Sequence, residues 1–247
     1  MTKKIYKPAV RLCAGAALLF CASVGAVEET ASPDVVWSGE GELGYTRTTG
    51  NTDTESLLLK FGVKRESKKW LASVRVEDLD KSEDGVTTAD RFFAVVKSDY
   101  KLAVRHYLFG TGDYEDDRFS GYDYRANAAV GYGYRVVDLP SLAINGEIGP
   151  GGRWSRETDT GDKTAEATAR LAGDLTWRIS PTAKLTEEVS AVRGPSNTVY
   201  RSLTALTTNI NSDLALRVAY LYKHTTDVPI DTEKTDTETA VTLVYSF

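Results

Sequence analysis

From Tyr122 to Val136 the chain reads YDYRANAAVGYGYRV, and its side chains fall into two alternating sets. Tyr122, Tyr124, Ala126, Ala128, Val130, Tyr132, Tyr134 and Val136 form one set, opposite Asp123, Arg125, Asn127, Ala129, Gly131, Gly133 and Arg135. Successive side chains of a strand point to opposite faces, so a period of two predicts a ribbon with one apolar and one polar side. The pattern recurs. Leu57, Leu59, Phe61 and Val63 alternate with Leu58, Lys60, Gly62 and Lys64, and Trp70, Ala72, Val74 and Val76 with Leu71, Ser73, Arg75 and Glu77. Ala167, Ala169, Leu171, Leu175, Trp177 and Ile179 oppose Arg170, Asp174 and Arg178, while Leu214, Leu216, Val218, Tyr220 and Tyr222 oppose Arg217 and Lys223. No convincing 3.6-residue pattern competes with these.

Roughly twelve such segments of about 10 residues can be counted, and about 10 residues is what a strand tilted by about 45° needs to cross hydrocarbon. Their connections also alternate. Ser67 to Lys69, Asp138 to Ser141, Ser180 to Ala183 and Asn211 to Asp213 are terse, whereas DKSEDGVTT, DYEDDRFSGYD, GPGGRWSRETDTGDKT, RGPSNT and TTDVPIDTEKTDT are polar and read as longer loops. The first of the interleaved connections, TTGNTDT, is the exception: its Gly50 and Asn51 predict a tight hairpin.

Alternation alone does not say whether the apolar side meets lipid or a second sheet, so a soluble periplasmic β-sandwich stands as an alternative. Three features favour lipid. The polar parity carries bulky charges in mid-strand, and Lys60, Arg75, Glu77, Lys97, Asp99, Arg125, Arg135, Glu147, Arg170, Asp174, Arg178, Arg217 and Glu238 are expected to face a lumen. Aromatic residues sit toward segment ends, where Tyr122, Tyr124, Tyr132, Tyr134, Trp177, Tyr220, Tyr222 and Tyr245 are expected to form interfacial girdles. A closed barrel is also the one β structure that satisfies its backbone hydrogen bonds in hydrocarbon. The fold class expected is therefore all-β: a closed antiparallel transmembrane barrel with short periplasmic turns and longer outer loops.

The ends of the chain refine this. Lys3, Lys4, Lys7 and Arg11 precede an apolar run from Leu12 to Ala22 and the small-residue site Val24–Gly25–Ala26, the layout of a signal peptide cleaved after residue 26. A short lead over 27–35 and a barrel over 36–247 would follow. Cys13 and Cys21 both fall in the leader, so the mature chain has no disulfide. Neither cysteine follows the small residue that a lipoprotein anchor needs. Losing the four leader cations takes the net charge of −5 to about −9, which argues against a nucleic-acid partner. At the other end, TETAVTLVYSF places Val241, Leu243, Tyr245 and Phe247 on one parity. A last strand ending on phenylalanine resembles the C-terminal signal read by the bacterial barrel-assembly machinery.

SGEGELGYTRTTGNTDTESLLLKF (residues 38–61) and DRFSGYDYRANAAVGYGYRV (residues 117–136) resemble a family of salt-induced outer-membrane proteins of the YdiY type, which carry a domain of unknown function. The likeness extends over nearly all of the mature chain. It implies an outer-membrane barrel with no established activity, so it supplies no catalytic residue.

Candidate chemistry is sparse. Gly39, Gly41 and Gly44 match G-x-G-x-x-G inside an alternating strand, where Glu40 and Glu42 would repel a pyrophosphate. Asp80, Ser82, Asp84 and Gly85 imitate a calcium loop whose twelfth position is Arg91 instead of Glu. The acid cluster Asp113, Glu115, Asp116 and Asp117 could share a divalent cation with lipopolysaccharide phosphates, but a hydrated loop explains it as well. His106 and His224 lack the serine two residues on that barrel lipases carry. A hydrolase with His224 as base remains the enzymatic alternative. No catalytic, cofactor or metal residue is expected. A monomer among outer-membrane lipids and lipopolysaccharide is expected, serving as an envelope protein or a narrow channel.

Overall fold

The computed structural model describes residues 35–48, 54–229 and 232–247. The expected leader, all but the last residue of the lead, and the Gly50–Asn51 hairpin lie outside the described residues. Twelve strands appear among those described: β1 (Val36–Thr48), β2 (Thr54–Glu66), β3 (Trp70–Glu83), β4 (Val86–Lys101), β5 (His106–Asp117), β6 (Tyr122–Asp138), β7 (Leu142–Glu157), β8 (Lys163–Arg178), β9 (Ala183–Arg193), β10 (Thr198–Asn209), β11 (Leu214–Thr225) and β12 (Thr235–Ser246). Each pairs antiparallel with its sequence neighbours, and β12 returns to β1, closing the sheet into a barrel. Closure gives every strand a neighbour on both sides, the arrangement by which a sheet can meet its backbone hydrogen bonds where water is absent.

The seam is the shortest ladder in the wall. β1 pairs β2 along its whole length, from Val36 opposite Glu66 to Thr48 opposite Thr54, but meets β12 only from Glu40 opposite Ser246 to Leu43 opposite Leu243. Phe247 extends it. Its N–H donates to the Gly39 carbonyl at 3.0 Å, and its carbonyl accepts from the Gly39 N–H at 2.8 Å. Its ring covers Gly39 so closely that a Cβ there would stand 2.4 Å from a ring carbon, and it stacks beside Phe61 and Tyr245 with centroids 6.4 and 6.2 Å away. The terminal ring thus fills the space that a side chain at position 39 would take, which accounts for a glycine there without a nucleotide.

Connections 67–69, 102–105, 139–141, 179–182 and 210–213 lie at the rim where β1 begins and β12 ends, here the terminal rim. At the far rim most of the polar segments expected as long loops are strand instead. β3 and β4 meet at the two-residue turn Asp84–Gly85, with φ of 49° and 76°, and the DYEDDRF segment is the end of β5 and the start of its turn. Between β11 and β12, residues 226–229 and 232–234 are described and lie outside any strand. Antiparallel neighbours continue to pair backbone groups whatever the side chains, so polar sequence extends the wall and does not end it.

The two faces differ in kind. Leu43, Leu59, Val74, Val96, Val130, Leu171, Leu216 and Val241 stand exposed on the outside. Around them sit Tyr45, Trp70, Tyr114, Tyr132, Tyr134, Trp154, Trp177, Tyr200 and Tyr222, also exposed. An apolar belt edged by aromatics on a closed wall suits hydrocarbon, not water. The inside is no oily core: its buried side chains include Glu42, Glu77, Asp99, Glu115, Arg125, Glu147 and Arg153, and among the described residues only Val244 is a sizeable side chain wholly removed from solvent. A small aromatic cluster of Tyr107, Phe109 and Ala129 interrupts it. Gly133 lets the Tyr107 ring lie flat against the wall, since a Cβ there would come within 2.1 Å of it.

Candidate functional site: the charged lumen

Ion pairs that reach across the ring identify the inward face. Arg75 on β3 donates through Nη1 and Nη2 to both carboxylate oxygens of Glu188 on β9, at 3.1 and 3.2 Å. Those strands stand on opposite sides of the barrel, as do β11 and β5, which are joined by Lys223 and Glu115. Arg91 on β4 meets Glu238 on β12 at 2.7 Å. Two fork donors on two carboxylate oxygens fix both distance and orientation. These pairs therefore hold the width of the lumen, besides neutralising charge.

Shorter links complete the network. Glu77, only 2 % exposed, lies between Lys60 at 3.7 Å and Arg75 at 3.1 Å. Glu147 accepts from Lys97, from Arg170 at 2.8 Å and from the Tyr107 hydroxyl at 3.0 Å, while Lys97 also approaches Asp99 at 3.6 Å. Arg217 binds Glu40 at 3.0 Å and Glu42, and its Nε donates to Thr207. Thr242 donates to the other Glu42 oxygen, tying β12 to β1 where their ladder is short. Asn145 donates to Asp174 at 2.7 Å. Between these groups lies an interior cavity of about 700 Å³, lined among others by Lys60, Arg75, Lys97, Arg125, Glu147 and Arg170.

Two of the expected lumen residues stand elsewhere. Arg135 pairs with Asp138 at 3.5 Å, and Arg178 donates to the Pro140 carbonyl at 3.1 Å, so both sit at the terminal rim, outside the cavity. In the expected girdles Tyr124, Tyr132, Tyr134, Trp177, Tyr222 and Tyr245 face outward. Tyr122 does not. The register of β6 shifts between Tyr122 and Tyr124, and the Tyr122 ring lies against the inward guanidinium of Arg125. An inserted residue turns the side chains before it to the other face. Tyr220 faces out in mid-wall, opposite Thr204 and Thr239, not at a rim.

Other members escaped the alternation. Glu40 and Glu42 sit in the glycine-rich part of β1, Arg91 stands at the mock calcium position, and Arg153, which pairs with Glu166 on β8, falls in the segment read as a long loop. The acid cluster on β5 is split by the wall: Glu115 points in, whereas Asp116 is exposed outside near Asp90 and Asp123. His224 lies between the rings of Tyr200 and Tyr222, its Nδ1 2.8 Å from the Thr235 hydroxyl, with no carboxylate bonded to it among the described residues.

The outer face also carries carboxylates beside apolar residues: Asp78 on β3 lies opposite Leu59 on β2 and Phe92 on β4, and Glu187 is a second. Glu187 on β9 lies between Leu185 and Val189 along the strand and opposite Leu175 on β8, and it accepts hydrogen bonds from Ser202 at 2.6 Å and from Thr204.

A family model described as a protein of unknown function, DUF481, matches residues 41–247. The chain belongs to that family. A relative from Escherichia coli strain K12, described as uncharacterized protein YdiY, is 29 % identical over 221 residues, covering 89 % of this chain and 87 % of the relative. Among solved structures, NanC porin superposes with a TM-score of 0.52 at 14 % identity, covering 85 % of this chain and 98 % of that one. The translocator domain of the autotransporter NalP from Neisseria meningitidis gives a TM-score of 0.48 at 12 % identity, covering 89 % and 90 %. The likeness to the porin is one of fold: this chain too is a closed antiparallel β-barrel.

Proposed function

We propose that the protein is a bacterial outer-membrane barrel whose lumen is a narrow pathway for small ions, too heavily braced to pass large solutes. The observation that carries this reading is the pair of links across the full width of the lumen, Arg75–Glu188 and Lys223–Glu115. A pathway between fixed charges of both signs passes ions while excluding bulky molecules. On this reading the apolar belt sits in outer-membrane hydrocarbon as a monomer, and lipopolysaccharide surrounds the far rim. Val241, Leu243, Tyr245 and Phe247 then serve the barrel-assembly machinery during biogenesis, before Phe247 takes its place over Gly39. The family resemblance adds that salt raises its level, which immunoblots of outer membranes from cells grown at low and high NaCl would check.

Single-channel recording in planar bilayers tests the pathway. The expected result is a small conductance that rises when Arg75→Ala and Glu188→Ala are combined. A barrel that is silent in both forms would replace the pathway with a purely structural role.

A further inference from the structure

Most lumen arginines hold a carboxylate, although Nε of Arg75 and of Arg91 is buried with no hydrogen-bond partner among the described residues. Arg153 gives Nη1 to Glu166 at 3.0 Å, Nε to Asn127 at 3.2 Å and Nη2 to the Val192 carbonyl at 3.0 Å. Arg75, Arg91, Arg170 and Arg217 all hold carboxylates. Arg125 on β6 and Arg201 on β10 differ. Arg125 is 7 % exposed, and its Nη1 is buried with no hydrogen-bond partner among the described residues. Its guanidinium carbon lies 4.4 Å from the centroid of the Tyr122 ring. The guanidinium carbon of Arg201 lies 4.5 Å from the centroid of the Phe93 ring, and its side chain hydrogen-bonds no described residue. Both line the same cavity, toward the far rim, and both lie within electrostatic reach of Glu115, whose carboxylate is taken up by Lys223.

Stacking on an aromatic ring occupies the face of a guanidinium and leaves its edge free. That edge carries the N–H fork, whose spacing matches two oxygens of a carboxylate or a phosphate. Arginine cannot relieve an unmet donor by losing its proton, and a buried donor without a partner is costly. Water can meet such donors, but an oxyanion meets them and balances the charge as well.

We propose that Arg125 and Arg201 form a binding site for a small oxyanion, a carboxylate or a phosphate, in the far half of the lumen. Tyr122 and Phe93 hold the two guanidiniums in place, and their edges bind the ligand. Asp113 and Glu115 face the same space from β5 and limit the charge it accepts, favouring a small anion over a polyanion. The site needs a closed barrel; it does not need the lumen to conduct.

Isothermal titration of sodium phosphate, and separately of sodium acetate, into the detergent-solubilised protein from outer membranes tests the site and tells the two oxyanion types apart. Saturable binding of at least one is expected. Arg125→Gln and Arg201→Gln should each weaken it by roughly tenfold or more, the loss of a charge-assisted hydrogen bond, while Arg178→Gln at the terminal rim leaves it unchanged. Where a glutamine variant fails to give the β-sheet circular dichroism of the parent, Arg125→Lys and Arg201→Lys take its place, keeping the charge and losing the fork. These too should bind more weakly. No saturable heat with either anion, or equal affinity in the parent and the folded variants, overturns the site. Binding by a barrel that carries no current supports the site and removes the ion pathway; current without binding does the reverse.

Discussion

Glu187 and Glu188 are neighbours on β9 and chemically the same, yet they meet opposite solvents. Glu188 points into the lumen and takes both fork donors of Arg75 from the far wall. Glu187 points out among Leu175, Leu185 and Val189, and its donors are the hydroxyls of Ser202 and Thr204. A one-residue slip of β9 would exchange them and put an unpaired carboxylate on each face. The lumen tolerates charge because opposite charges reach it from other strands; at Glu187 the outer face offers only neutral donors, supplied by the adjoining strand. The two faces are thus built on different rules: charges pair across the lumen, whereas along the apolar belt carboxylates such as Glu187 and Asp78 have no ion-pair partner among the described residues.

The largest expected effect tests the inner rule. Glu77→Ala leaves Lys60 and Arg75 without the carboxylate between them, in one of the least exposed parts of the lumen. It should cost about 3–5 kcal/mol of stability, read from guanidinium unfolding of the barrel in detergent. A loss too small to measure would mean that the lumen charges are solvated instead of paired.

Next comes the outer rule. Glu187→Lys sets a cation against the belt and should cost about 2–4 kcal/mol in lipid vesicles, the penalty for a basic side chain on the lipid face near the bilayer midplane. The same change in a wall that met water would be nearly silent, so this experiment discriminates between the two solvents directly.

The smallest effects come from gentle changes at the neighbouring pair. Glu187→Leu should stabilise the barrel in vesicles by about 1 kcal/mol, because the hydroxyls it releases can turn to backbone carbonyls while a carboxyl leaves the apolar face. Glu188→Gln should shift stability by less than about 1 kcal/mol, since Glu188 is 51 % exposed to the lumen and its ion pair is screened. Equal shifts for the two would remove the distinction drawn between the faces.

Much of this was legible along the chain. Val130 outside and Arg125 inside follow from position alone in YDYRANAAVGYGYRV, and the strand character of the last residues follows from the parity of TETAVTLVYSF. Tyr122 was misplaced because a bulge breaks the period without any change of composition. The DYEDDRF segment read as a loop because acids are common in loops, although β5 carries it as strand with its charges divided between the faces. Glu187 was invisible for the opposite reason: two acids in succession cannot both obey an inside-only rule, and nothing nearby says which one breaks it.

By itself the sequence determined the period of the backbone, the approximate number of strands and the face on which most residues stand, since each of these depends on neighbours one or two positions away. Only the tertiary structure decided that Arg75 meets Glu188, that Lys223 meets Glu115, and that Arg125 and Arg201 are left to aromatic rings. Where a side chain falls around the circumference depends on the register of every ladder between it and its partner, and that register is set only when β12 closes against β1.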